Sequence, residues 1–125
     1  MSNRRVLVID DDKNIVEMIK LALSNYGFEV LTALDGEVGV DMFLTEHPDV
    51  VVLDIAMPGV DGYQVIERMR AAESEEENST PIIMLTAHQQ PVMREYAHDL
   101  GADVYLTKPV IPKTLVRAIE DVLDQ

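Results

Sequence analysis

The chain contains no cysteine. Disulfides, thiolate zinc sites and cysteine nucleophiles are thereby excluded, which suits a reducing compartment. Long apolar runs are missing as well: after Met1-Ser2-Asn3-Arg4-Arg5 only Val6 to Ile9 precede Asp10, too few for a signal-peptide core or a membrane span. A cytoplasmic protein is expected, without membrane contact. Cations are scarce, 10 Lys and Arg against 23 Asp and Glu, for a formal charge of −13. That balance argues against direct nucleic-acid binding, which depends on Lys and Arg to neutralise phosphates. It points instead to a metal, to cationic partner surfaces or simply to solubility. No linker, repeat or second composition is visible, and 125 residues with 47% hydrophobic content are one domain's worth of core.

What is present is a regular alternation of two patterns. Val6-Leu7-Val8-Ile9 is an apolar run closed by Asp10-Asp11-Asp12, and Ile15, Met18, Ile19, Ala22 and Tyr26 follow at helical spacing up to Gly27. Asp11 or Asp12 suits the cap of that helix, so part of the acidic cluster has a purely structural use. Phe28 to Ala33 reads as a second, less apolar strand nearer a sheet edge, and Asp35-Gly36 as a turn. Val40, Phe43 and Leu44 form the stripe of a short helix that His47-Pro48-Asp49 breaks.

The run Val50-Val51-Val52-Leu53 is apolar on both faces and ends in Asp54, after which Pro58, Gly59 and Gly62 turn the chain away. Read alone, Asp54 begins a turn as readily as it marks a site. Tyr63, Ile66, Met69 and Arg70 begin a third helix that fades into an acidic, solvated stretch over 71–80. Ile82 to Thr86 is a fourth strand, and Val92, Met93, Tyr96, Ala97 and Leu100 make a helix closed by Gly101. Val104 to Thr107 leads to Lys108-Pro109, and a last helix runs from Pro112 to Leu123 with Leu115, Ile119, Val122 and Leu123 on its buried side.

Five strands alternate with five helices over short links, which predicts an α/β fold with a parallel sheet covered on both faces. Right-handed crossovers bring every strand's C-terminal end to one edge, so Asp10, Asp11, Asp54, Thr86 and Lys108 should meet there. Carboxylates gathered together resist full ionisation unless a cation joins them. Oxygen-only ligands favour a hard ion such as Mg²⁺, Lys108 supplies a point charge suited to a phosphoryl group, and Thr86 offers a hydroxyl donor. Asp, Mg²⁺, Lys and Thr together make a phosphoryl-transfer site with a carboxylate nucleophile. Spacing alone does not say which two of Asp10, Asp11 and Asp12 join it.

Four segments carry a resemblance to a known family: Val-Leu-Val-Ile-Asp10-Asp11; Val-Val-Leu-Asp54-Ile-Ala-Met-Pro58-Gly59-Val-Asp61-Gly62; Pro81-Ile-Ile-Met-Leu-Thr86-Ala87; and Gly101-Ala102-Asp103-Val-Tyr105-Leu-Thr-Lys108-Pro109. In order and spacing they resemble the CheY-like receiver domain of two-component response regulators, over essentially the whole chain. The resemblance implies a single doubly wound (βα)5, flavodoxin-like domain over residues 1–125, with strand order 2-1-3-4-5 and no output domain. It implies that Asp54 is the phosphoacceptor, forming an aspartyl phosphate from the phosphohistidine of a sensor histidine kinase or a histidine phosphotransfer protein, or from a small phosphodonor. Asp10, Asp11, Asp54 and the backbone carbonyl of Ala56 would hold Mg²⁺, or Mn²⁺ in its place. Lys108, the Thr86 hydroxyl and the Ala87 backbone N–H would bind the phosphoryl oxygens, and Pro109 matches the family's cis peptide.

Tyr105 matches the family's switch aromatic, turning inward as Thr86 moves. The readout face would be the fourth helix, fifth strand and last helix, which carry Arg94, Lys113 and Arg117 and would contact a downstream protein or a second copy of the chain. Ala56 and His88 occupy the two variable positions that tune hydrolysis, so substitutions there are expected to change phosphoryl lifetime more than stability. Such a module catalyses only its own phosphorylation and dephosphorylation. The rival reading is a Mg²⁺-dependent phosphatase or phosphotransferase of the haloacid dehalogenase type, which would need a second Asp where Ala56 stands. A flavin-binding module is the other, disfavoured because acids follow the first strand where a phosphate loop should be. The chain is expected either to stand alone or to be cut from a longer regulator.

Overall fold

The computed structural model of the chain describes residues 4–55, 61–73, 79–87 and 91–124. Ten elements alternate along it: β1 (Arg5–Ile9), α1 (Lys13–Asn25), β2 (Glu29–Ala33), α2 (Gly36–Glu46), β3 (Val50–Asp54), α3 (Gly62–Ala72), β4 (Ile82–Thr86), α4 (Pro91–Leu100), β5 (Val104–Thr107) and α5 (Pro112–Leu123). The strands form one parallel sheet in the order β2-β1-β3-β4-β5, as expected. The three central strands are apolar because helices cover them on both sides; the edges β2 and β5 are only partly buried.

Strand parity sorts the core into two layers. Leu7, Ile9, Val51, Leu53, Ile82 and Met84 face α2, α3 and α4, where they meet Val40, Phe43, Val65, Ile66, Met69 and Ala97. Their alternates Val6, Val8, Val50, Val52, Ile83 and Leu85 face α1 and α5, where they meet Val16, Ile19, Leu23, Leu115, Val116 and Ile119.

Local chemistry sets the helix ends. The Asp12 side chain accepts from Asn14 N–H and Ile15 N–H, and Asp35 accepts from Val38 N–H at 2.8 Å. Asp61 and Gln64 form a reciprocal capping box on α3. Gly27 and Gly101 close α1 and α4 with positive φ.

Four expectations need correction. On α1 the buried residues are Val16, Ile19 and Leu23, while Met18 is 47% and Tyr26 52% exposed, because the helix is apolar on more than one side and docking rather than periodicity chooses the face. On α2, Gly39 replaces Leu44 at the contact: Gly39 lies against Ile9, and Leu44 is exposed. Asp35-Gly36 is not a separate turn but the cap and first residue of α2. On α4, Val92 and Tyr96 are exposed, and Ala97 alone is buried among the described side chains. Ala56, His88 and the middle of the acidic stretch, 74–78, lie outside the described residues.

Candidate functional site

The register that builds the sheet also builds the site. Ile9 pairs with Leu53 and Thr86 with Thr107, so the residues one step further, Asp10, Asp54 and Lys108, reach the same C-terminal edge. Among the described residues the buried polar side chains are Asp10, Asp54 and Thr86, and all three are at that edge. An apolar strand buries its polar residues only where the sheet ends and other polar groups are within reach. Asp11, by contrast, is exposed at the rim.

Asp10, Asp11 and Asp54 each bring a carboxylate oxygen into a group whose atoms lie within 4.8 Å of one another. Asp12 N–H donates to Asp10 Oδ1 at 2.9 Å, while the Asp12 side chain is engaged in capping α1. Asp10 and Asp11 thus gather with Asp54, while Asp12 caps α1. The donor set suits a hard divalent ion: all oxygen, two of three groups buried, and crowded with like charge.

Lys108 closes the site from β5. Its Nζ lies 3.3 Å from Asp10 Oδ2 and 3.2 Å from Asp54 Oδ1. Lys108 N–H donates to the Thr86 carbonyl at 2.6 Å, which ties the end of β5 to β4; the Lys108-Pro109 peptide is cis. Burial pushes the Asp10 carboxyl above its ordinary range, and the Asp54 charge adds to this, against the opposing pull of the Asp12 N–H and Lys108. For Lys108 burial acts downward, yet the attraction of Asp10 and Asp54 wins and its ammonium is held more tightly than usual.

Thr86 ends β4 buried beside Lys108's backbone, and Ala87 follows it at the exposed rim. Tyr105 sits half-buried on β5, with the Arg94 guanidinium 5.3 Å from its ring centroid. That cation–π contact was not foreseen, since a surface Arg on a helix carries no sequence mark of the ring beneath it. Also unforeseen was the closeness of Gly62 to the end of β3: its N–H donates to the Ile55 carbonyl at 2.9 Å, and a Cβ would come within 2.7 Å of the Asp54 carbonyl oxygen. The Asp61-Gly62 pair could have signalled it, because a glycine after a strand end also permits close backbone approach.

An apolar cavity of about 300 Å³, lined by Ile15, Met18, Leu85, Lys108, Pro109 and Val110, adjoins the site. A larger hollow of about 550 Å³, lined in part by Arg4, Asp49, Thr80 and Asp103, is at the opposite edge and contains none of the expected site residues. No helix among the described residues is long and apolar enough to cross a membrane.

Comparison with known proteins gives a consistent result. A sequence model described as the response regulator receiver domain matches residues 6–120. The chain is 42% identical to the probable transcriptional regulator ycf27 of Porphyridium aerugineum, over 98% of this chain and 49% of that protein. It is 36% identical to the alkaline phosphatase synthesis transcriptional regulatory protein PhoP of Bacillus subtilis, over 97% of this chain and 49% of PhoP. The chain thus spans about half the length of the curated relatives it matches. The solved structure of Vibrio cholerae chemotaxis protein CheY4 aligns with a TM-score of 0.88 at 30% identity, covering 97% of this chain and 99% of the other. These matches give no support to the phosphatase alternative.

Proposed function

Because the chain belongs to the response regulator receiver domain family of two-component systems, we propose that Asp54 is its phosphoacceptor and that the surrounding residues serve that one transfer. A carboxylate oxygen of Asp54 attacks the phosphorus of a phosphohistidine on a sensor kinase or phosphotransfer protein, or of a small phosphodonor. With phosphohistidine the new P–O bond forms as the P–N bond breaks and the departing imidazole takes a proton from solvent; with acetyl phosphate the P–O bond to the acyl group breaks and acetate leaves. Asp10, Asp11 and Asp54 would hold Mg²⁺, with the Ala56 carbonyl, outside the described residues, as the further ligand. Bound there, the ion neutralises charge on the transferring phosphoryl group.

The chain's own residues do the rest. Lys108 already pairs with Asp54 and Asp10, so it is placed to follow the charge onto the phosphoryl oxygens. The Thr86 hydroxyl and Ala87 N–H supply neutral donors once the acceptor has become larger and more negative. Ala56 offers no polar side chain to hold a hydrolytic water, and His88 could orient one; both belong to this proposal as tuning positions. The modified Asp54 changes which conformer of Thr86, Tyr105 and α4 is favoured, and only that difference in interaction can drive a switch.

The product remains on the protein, so the module signals rather than turns over a substrate. Its acidity keeps it from nucleic acid, and the regulatory output of relatives named as transcriptional regulators would pass through the α4–β5–α5 face to a partner, a second copy or a further domain. We place that work in the cytoplasm. The observation that carries the reading is the meeting of Asp10, Asp54 and Lys108, which are remote in sequence, at one buried edge. Intact mass after incubation with acetyl phosphate and Mg²⁺ tests it: the wild type gains one phosphoryl group and Asp54→Ala gains none. No gain in the wild type under any donor overturns it.

A further inference from the structure

Helix α4 has a second mooring, on α3 rather than on the strands that carry Thr86 and Tyr105. Among its described side chains Ala97 alone is fully buried, with half-buried Leu100 packed on the same core, so contacts along its flanks add to how α4 is held. One of these is Arg94 on Tyr105. The other is Tyr63, the second residue of α3, whose ring centroid is 4.8 Å from that of Tyr96 at an interplanar angle of 59°. The Tyr63 hydroxyl is also 4.0 Å from Met93 Sδ, one turn earlier on α4. A tilted pair at this spacing is an attractive geometry for two aromatic rings.

At its other end Tyr63 is tied to the acceptor. Its chain neighbour Gly62 lies on the Asp54-Ile55 backbone so closely that a Cβ would meet Ile55 Cα at 2.6 Å. A shift of the β3 end is therefore passed to the first turn of α3 by backbone contact, without a flexible side chain between. Tyr63 packs against the core while it reaches α4. Its phenol is held above the usual range by burial and by the neighbouring Tyr105, Tyr96 and Asp61, which agrees with a crowded, half-buried position.

We infer that Tyr63 is a second positioning residue of the switch, carrying the state of the Asp54 strand end to α4 through its ring contact with Tyr96. This rests on the phosphoacceptor reading of Asp54. Such a ring pair biases a two-state helix by about two- to ten-fold.

The test is amide hydrogen exchange of residues 91–100 in the whole chain, with and without acetyl phosphate and Mg²⁺, with intact mass recorded on the same samples. In the wild type, phosphoryl uptake changes exchange along α4. In Tyr63→Leu uptake is retained and the α4 change shrinks about two- to ten-fold, whereas Tyr63→Phe, which keeps the ring, behaves as wild type. Tyr96→Leu, at a half-exposed site that folding tolerates, reproduces the loss from the other side, and the double variant is no worse than either single one. Uptake with an undiminished α4 response in both Leu variants overturns this inference alone. Absence of uptake in the wild type overturns the phosphoacceptor reading and this inference with it.

Discussion

Lys108 stands between two buried carboxylates, 3.2 Å from Asp54 and 3.3 Å from Asp10, as the cation of an otherwise acidic edge. Among the described residues it is the cation paired with both acids. It holds the resting site together, and under the proposed function it would also meet the phosphoryl group.

Replacing Lys108 by Ala should lower the stability of the metal-free protein at neutral pH by about 1–3 kcal/mol, because two buried carboxylates lose a charged partner. Added Mg²⁺ should recover part of the loss. Urea denaturation with and without the ion measures both, and an unchanged midpoint would show that the pair contributes nothing.

Removal of one metal-site acid should be felt as a lost thermal response. Mg²⁺ is expected to raise the melting temperature of the wild type, and to do so much less for Asp11→Asn or Asp54→Asn, since ligand binding stabilises only a fold that can bind. Asp11 is exposed, so its Asn variant should fold normally and separates metal affinity from folding.

The raised Asp10 carboxyl sets a pH dependence of definite sign. A carboxyl pushed up on folding contributes stability that is full below its unfolded value of 3.8 and is lost as pH rises through the folded value. Metal-free protein should thus lose this contribution across the acidic range, and saturating Mg²⁺ should flatten the loss by taking the proton's place. Lys108, raised above 10.5, holds its share of stability through neutral pH and loses it only on the alkaline side. Denaturation midpoints followed against pH, in the wild type and in Asp10→Asn, check the sign.

A substitution far from the site should act on stability alone. The Arg70 guanidinium, at the opposite edge of the sheet, bonds Glu73 Oε1 at 2.7 Å, the Thr80 carbonyl at 2.8 Å, the Gly101 carbonyl at 2.6 Å and Asp103 Oδ2 at 3.2 Å. Arg70→Ala leaves those acceptors short of a donor and should cost about 2–3 kcal/mol. Phosphoryl uptake per folded molecule should not change, and a large fall in uptake would reveal coupling between the two edges.

Much of this was legible beforehand. The runs ending in Asp10, Asp54 and Thr86 marked strands, their alternation marked a parallel sheet, and the crossover rule brought the ends together. Helix rotation was legible only in part: Ile19, Val40 and Phe43 were placed inward rightly, but Met18, Tyr26 and Leu44 were drawn in with them because an apolar residue at helical spacing carries no record of which side docks. The Arg70 cluster and the Tyr63-Tyr96 contact left no trace in local pattern. Their partners are 31 residues apart for the Arg70–Gly101 bond and on different helices for the two rings, so the tertiary fold alone defines them.

The four-residue length of β5 has a consequence for how this protein behaves in a crowd. An outermost strand offers its free backbone to any passing chain, and proteins blunt that hazard with shortness, charge and proline. Here the outer ribbon stops after Thr107 with a lysine and a proline in succession, and Pro109 has no N–H to extend a ladder. The step that brings a cation to the buried acids thus also limits how far this outer strand can be extended by another chain.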